Sequence, residues 1–245
     1  MSGIRLRQPV IATRHRDKVV TALQSLFGLG ISHTVEDAPS HAEFGLRAAH
    51  LPVGEQFIEV IEPLRDDVPA GRHLARLGGD GGYMVILQVP SAEEAAQRVR
   101  AQGARIIWEG GDAVYAVHLH PEDTGGTLLS LAQDMRGDAW GQAGENWRAH
   151  VCTDHVHRIE RADIACENPA DSAALWSALL GVERSGTDGL TLQLDEGSLR
   201  FVPAIGQPHG PSGLTLARTP GSPIELGTAL KIGNLDISVT LGSDR

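Results

Sequence analysis

At 245 residues, with 41% hydrophobic and 21% charged side chains, the chain has room for one large or two ordinary domains and is neither disordered nor fibrous. Its formal charge of −10, with Lys18 and Lys231 the only lysines, excludes a basic nucleic-acid footprint, and 4% aromatic residues are too few for a base-stacking or sugar-stacking surface. Cys152 and Cys166 are too few for a disulfide scaffold, no run of ~18 apolar residues offers a membrane span, and no signal-peptide stretch opens the chain, so the expected setting is the cytoplasm.

In chain order, residues 8–13 read as an apolar strand, and 17–27 as a helix whose Val19, Val20, Leu23, Leu26 and Phe27 share one face before Gly28. Strand signals follow at 31–36, 46–52 and 56–61. The pattern then restarts. Residues 84–89 form a strand, and Ser91 is a helix N-cap with Glu94 in the capping-box position of a helix ending before Gly103. Strands follow at 105–109, 113–118 and 127–131. A third strand–helix pair occupies 161–166 and 169–180, ending at Gly181, with strands at 190–194 and 199–202. The three leading strands start at residues 8, 84 and 161, so the unit recurs every 76 or 77 residues.

A fourth unit begins at 213–217 but has no helix. Thr219-Pro-Gly-Ser-Pro stands where a helix would follow, and Pro and Gly forbid it; strands at 229–232 and 236–241 close the chain. The expected fold is α+β, built from tandem βαβββ units in two halves, with the C-terminal half degenerate. The expected boundaries are a paired domain over residues 1–132, a linker over 133–156, which lacks any regular period, and a truncated second domain over 157–245.

Three segments carry a family resemblance: Leu51-Pro-Val-Gly-Glu-Gln-Phe-Ile-Glu-Val-Ile-Glu-Pro, Leu77-Gly-Gly-Asp-Gly-Gly-Tyr-Met-Val-Ile-Leu-Gln-Val, and His118-Leu-His-Pro-Glu-Asp-Thr-Gly-Gly-Thr-Leu-Leu-Ser-Leu. With the tandem βαβββ pattern they resemble the vicinal oxygen chelate superfamily, which takes in glyoxalase I, methylmalonyl-CoA epimerase, extradiol dioxygenases and bleomycin-resistance proteins. The resemblance implies a cavity between paired units, with four inward strand positions holding a divalent metal. Those positions fall on Gln8, Glu59, Met84 and Ser130. One carboxylate, one amide, one thioether and one hydroxyl make a poor donor set for a hard or borderline cation, so no cofactor is expected; a divalent metal, if present, would rest on Glu59 and Gln8. In the second half the matching positions hold Arg161 and Arg200, which would repel a cation and suit a structural role or an anion.

Within that frame Glu59, Tyr83 and His73 are the candidate catalytic residues, and Gln8, Met84, His118, His120 and Ser130 the candidate substrate contacts. Strand alternation places Phe57, Glu59 and Ile61 on one face. If that face lines the cavity, Glu59 is a partly buried carboxylate suited to general-base work. His73 lies in the segment between the first two units, where related proteins pass a loop over the cavity mouth. His118 and His120 alternate onto one strand face ahead of a turn. The plain alternatives are a solvent-facing Glu, a core Tyr, and capping or turn histidines.

Other features carry less. His150, Cys152, Asp154, His155 and His157 match no structural zinc spacing, and Gly78-Gly-Asp-Gly-Gly precedes a strand rather than a helix, which argues against a phosphate cradle. The resulting functional expectation is a glyoxalase-like lyase or isomerase that moves a proton next to a carbonyl, its metal site degraded. The rival is a non-catalytic small-molecule binder like the bleomycin-resistance branch. Expected partners are a small-molecule ligand or substrate and a second copy of the chain in a homodimer, with neither nucleic acid nor membrane.

Overall fold

The computed structural model describes residues 3–36, 44–137 and 139–242. The first unit comprises β1 (Arg5–Ala12), α1 (Arg16–Phe27), β2 (His33–Val35), β3 (Leu46–Val53) and β4 (Gln56–Pro63). After α2 (Pro69–Leu77), the second comprises β5 (Gly81–Gln88), α3 (Ala92–Ala101), β6 (Ile106–Gly110), β7 (Val114–Leu119) and β8 (Leu128–Asp134). The third comprises β9 (Val156–Cys166), α4 (Pro169–Leu180), β10 (Arg184–Ser185), β11 (Thr191–Gln193) and β12 (Ser198–Pro203). The fourth keeps only β13 (Gly210–Arg218), β14 (Ala229–Ile232) and β15 (Leu235–Thr240). The α+β architecture of tandem βαβββ units with a degenerate C-terminal half is the observed one.

The helix ends follow local chemistry. Gly28 takes the left-handed conformation (φ 68°) that a side chain would resist, and its N–H reaches Gln24 to close α1. Ser91 Oγ accepts from the Glu94 N–H at 3.2 Å to open α3, and Asn168 with Pro169 opens α4. Helix α2 departs from the expected loop: Pro69 starts it, Gly78 stops it, and Ala70, His73 and Leu74 supply its buried face. One short turn-rich stretch with Gly71 inside it gives too little periodicity to be read as a helix.

The first two units share an eight-stranded sheet in the order β2-β3-β4-β1-β5-β8-β7-β6, and the last two a seven-stranded sheet in the order β10-β11-β12-β9-β13-β15-β14. In each, the leading strands of the paired units meet antiparallel at the centre, β1 with β5 and β9 with β13. Each leading strand also runs parallel to the closing strand of its own unit.

One apolar core joins both sheets to α1, α3 and α4 through Leu6, Leu23, Val85, Val99, Ile159, Trp176, Leu216 and Ile237. The halves are keyed together by backbone contact as well. Gln56, fully buried, donates to both Leu6 O and Ile159 O at 3.0 Å and accepts from the Ile159 N–H at 2.7 Å. A Cβ on Gly82 would stand 2.1 Å from the Pro211 carbonyl oxygen, so a glycine at the start of β5 permits the close approach of β13. The opposite face of the eight-stranded sheet carries a second cluster: Val10, Ala12, Phe57, Ile61, Met84, Ile86 and Ala116, covered by Trp140 and Trp147.

Candidate functional site

Strand register tests whether the four positions named above converge. Across β1 and β5, Val10 faces Met84 and Gln8 faces Ile86; Glu59 on β4 lies opposite Val10, and Ser130 on β8 opposite Ile86. A pseudo-two-fold axis near Pro9 and Val85 therefore maps Gln8 onto Met84 and Glu59 onto Ser130. The same register in the other sheet sets Arg200 opposite Asp163 and Arg161 opposite Thr215.

Gln8 is the hub. Its Nε2 donates to Glu59 Oε2 at 2.7 Å, and its Oε1 accepts from the Trp140 indole N–H at 2.7 Å. An indole N–H can only donate, so Trp140 fixes which end of the amide meets the carboxylate. On the far side of Glu59, His50 Nε2 lies 3.7 Å from Oε1. Glu59 keeps 12% of its side-chain surface exposed while His50 keeps 3%. Ser130 Oγ is buried and has no hydrogen-bond partner among the described residues.

Trp140 and Trp147 come from the segment between β8 and β9, which turns back over this face. Trp140 is the one non-glycine residue with positive φ (45°) among those described, a conformation that costs an L-residue roughly 1 kcal/mol. Its backbone N–H is held by Asp134, and Trp147 Nε1 donates to Ala139 O at 2.7 Å. A bulge between Leu6 and Gln8 turns Arg7 onto the same face. Its guanidinium lies 5.1 Å from the Trp140 ring, 5.3 Å from Phe57 and 5.7 Å from Trp147, a cation ringed by aromatic faces.

This donor set does not fit a divalent ion. Gln8 Oε1 is engaged by Trp140, Met84 and Ser130 are soft or neutral, and Arg7 brings a positive charge alongside. No three His, Cys, Asp or Glu side chains among the described residues converge as a cation cluster. Arg161 and Arg200 in the other half are engaged with Asp163 at 2.7 Å and Asp188 at 3.6 Å.

The remaining candidates lie toward the edge of the same face. Tyr83 and His73 pack edge to face with centroids 4.9 Å apart. His73 Nε2 donates to Gly82 O at 3.0 Å and its Nδ1 accepts from Arg76 at 3.3 Å, which commits both ring nitrogens. Burial, reinforced by Arg76, lowers the His73 pKa and keeps it neutral. Burial, with Glu59 adding to it, pushes the Tyr83 phenol up to about 12, so it is a proton donor at neutral pH. His118 stacks on Trp108 at 4.7 Å, and burial takes its pKa down to about 4. His120 caps a 3-10 turn through the Glu122 N–H at 3.2 Å. The cavity anticipated between the first two units is largely filled by the two tryptophans; an open groove of about 850 Å³, reached by His73, Tyr83 and His120, lies instead between α2, the 120–128 turn and the start of α4.

Sequence reasoning brought out neither Arg7 nor His50, and left Trp140 and Trp147 in the linker. The one available signal was His50, which alternation in β3 sets beside Glu59.

The fold and the register of this face define a protein of the vicinal oxygen chelate superfamily. A family model described as glyoxalase-like domain matches residues 9–180, and the chain belongs to that family. Among curated relatives, human mitochondrial methylmalonyl-CoA epimerase is 25% identical over 133 residues, covering 53% of this chain and 73% of that protein. The ethylmalonyl-CoA/methylmalonyl-CoA epimerase of Cereibacter sphaeroides is 24% identical over 134 residues, covering 53% and 97%. Among solved structures, methylmalonyl-CoA epimerase from Mycobacterium tuberculosis is 24% identical with a TM-score of 0.47, covering 53% of this chain and 87% of that one. No helix among the described residues is long and apolar enough to cross a membrane.

Proposed function

We propose that this chain is a small-molecule isomerase that moves a proton at a carbon next to a carbonyl, with Glu59 as the base. The observation that carries the reading is the Trp140–Gln8–Glu59 chain of hydrogen bonds, in which a donor-only indole forces the amide to present N–H to the carboxylate. In this reading Glu59 removes the proton, the electron pair moves to the carbonyl oxygen, and return of the proton to the other face of the carbon gives the isomer. Tyr83, protonated at neutral pH, and the unpartnered Ser130 hydroxyl supply donors for the developing oxyanion. The epimerase names of the relatives describe an inversion of this kind. No step runs through a metal, because the four positions do not fit one. A reducing, cytoplasmic setting accords with Cys152 and Cys166 standing unpaired.

A second reading, a non-catalytic binder of small molecules, is favoured by one observation: Gln8, Met84 and Ser130 supply no cation donor set, so a developing enolate would lack its strongest stabiliser while plain binding would lose nothing. Deuterium wash-in separates the two. The protein is incubated in deuterium oxide with methylmalonyl-CoA and a panel of 2-substituted acids and ketones, and exchange at the carbon is followed by mass spectrometry. The isomerase reading expects exchange with the native chain and a drop of about 100-fold or more in Glu59→Gln. Exchange that survives Glu59→Gln unchanged overturns Glu59 as base, and binding without exchange leaves the binder.

A further inference from the structure

We propose that the groove between the two halves is the substrate site, and that it selects organic molecules carrying an oxyanion, a carboxylate or a phosphate, on an apolar body. The inference rests on the isomerase reading and deepens it by naming the substrate class. Three observations lead to it. At about 850 Å³ the groove has the size of a small-ligand site, and it lies where two folded halves meet. Its α2 wall presents Arg72 and Arg76, four residues apart and therefore on one helical face. Neither has a carboxylate ion-pair partner among the described residues: Arg72 donates to the Asp67 carbonyl and Arg76 to His73 Nδ1.

In a chain of net charge −10, two arginines on one wall of a cleft, neither in an ion pair among the described residues, form a positive patch on α2 that can anchor an anion. Acidic residues line the groove too: Glu122 is paired with Arg105 at 2.8 Å, while Asp171, hydrogen-bonded to the neutral Asn168 amide at 2.6 Å, and Glu167 leave two negative charges on the wall contributed by the second half. The apolar stretch comes from Leu128, Ile107, Pro121 and Pro208, with Ile107 half exposed.

The position of Tyr83 links this groove to the chemistry. It lines the groove, packs against His73 beneath the two arginines' helix, and feels the charges of Glu59, Arg72 and Arg76. A substrate anchored by its oxyanion at α2 would bring its carbonyl to the Tyr83 phenol from the open side of the groove. The far wall is supplied by the second half, and Trp176 of α4 fixes it by donating to Thr124 O at 3.0 Å.

The test uses the full chain and four probes: phenylacetate, phenyl phosphate, neutral benzyl alcohol and cationic benzylamine. Calorimetric titration is expected to show both anions binding more tightly than the alcohol and the amine. Arg72→Gln with Arg76→Gln should cost the anions about 10- to 100-fold while sparing the alcohol. Ile107→Glu, at an exposed position, should weaken the anions without touching α2. A preference for phenyl phosphate over phenylacetate assigns the anchor to a phosphate, and the reverse to a carboxylate. Anion affinity unchanged in the double variant, or equal affinity for the amine, overturns the proposal. Binding is read without turnover, so anion binding in the groove with no deuterium exchange sinks the isomerase reading alone.

Discussion

The indole of Trp140 donates to the side-chain oxygen of Gln8 across 132 residues of sequence, at 2.7 Å and wholly buried. That bond joins the segment between the halves to the first strand of the first unit, and through Gln8 to Glu59. It decides the orientation of an amide that could otherwise turn end for end. Removing it should cost more than an ordinary hydrogen bond, because Gln8 is buried and its Oε1 would be left unpaired away from solvent.

Trp140→Ala should destabilise the chain by about 3–5 kcal/mol, the range for emptying a buried aromatic site. Trp140→Phe, which keeps most of the ring contact with Arg7 but not the N–H, should cost about 1–3 kcal/mol. Urea unfolding followed by circular dichroism measures both; a Phe variant as stable as the native chain would show that the hydrogen bond does not matter.

Gln56 predicts how the halves are held. Gln56→Leu leaves the Ile159 N–H and two carbonyls buried without partners and should cost about 2–4 kcal/mol. Hydrogen exchange at the Ile159 amide should accelerate in that variant, while amides in the middle of β5 hold longer.

Acid should weaken the fold through His118. Burial holds its folded pKa near 4, below the unfolded value of 6.5, so the unfolded chain binds the proton first. The stability is complete above about pH 6.5 and falls as pH drops toward 4, by up to about 3 kcal/mol. His118→Phe, which keeps the stack on Trp108, should flatten that slope in urea midpoints measured between pH 7 and 4.5. A parallel slope in the variant would assign the acid sensitivity elsewhere.

Metal removal should do nothing. Prolonged dialysis against EDTA is expected to leave both the thermal midpoint and the urea midpoint of the native chain unchanged, since the four positions on the site face do not form a cation donor set. A fall of several degrees that added zinc or manganese restores would contradict this.

The duplication was legible because the first three units repeat the same punctuation, an apolar strand, a helix and a stopping glycine. The site register was legible for the same reason: a spacing of 76 residues carries Gln8 onto Met84, and strand pairing honours it. The occupants of that face were not legible. Trp140 and Trp147 lie in a stretch without period, and their burial depends on where the chain folds back. Arg7 reaches the face only through a bulge, which alternation alone does not reveal. The groove was invisible because its walls come from residues near 70, 120 and 170, brought together only by the packing of one half on the other.

The fourth unit has no helix of its own, and α1 of the first unit lies against β14 as well as against β3 and β4. One helix therefore serves two sheets, a loan made within a single chain. A change on α1 is answered twice, once by β3 and β4, the strands that carry His50 and Glu59, and once by β14 of the other sheet. The two halves look like beads on a string when the sequence is read as repeats, yet cutting them apart would strip β14 of a helix that packs against it.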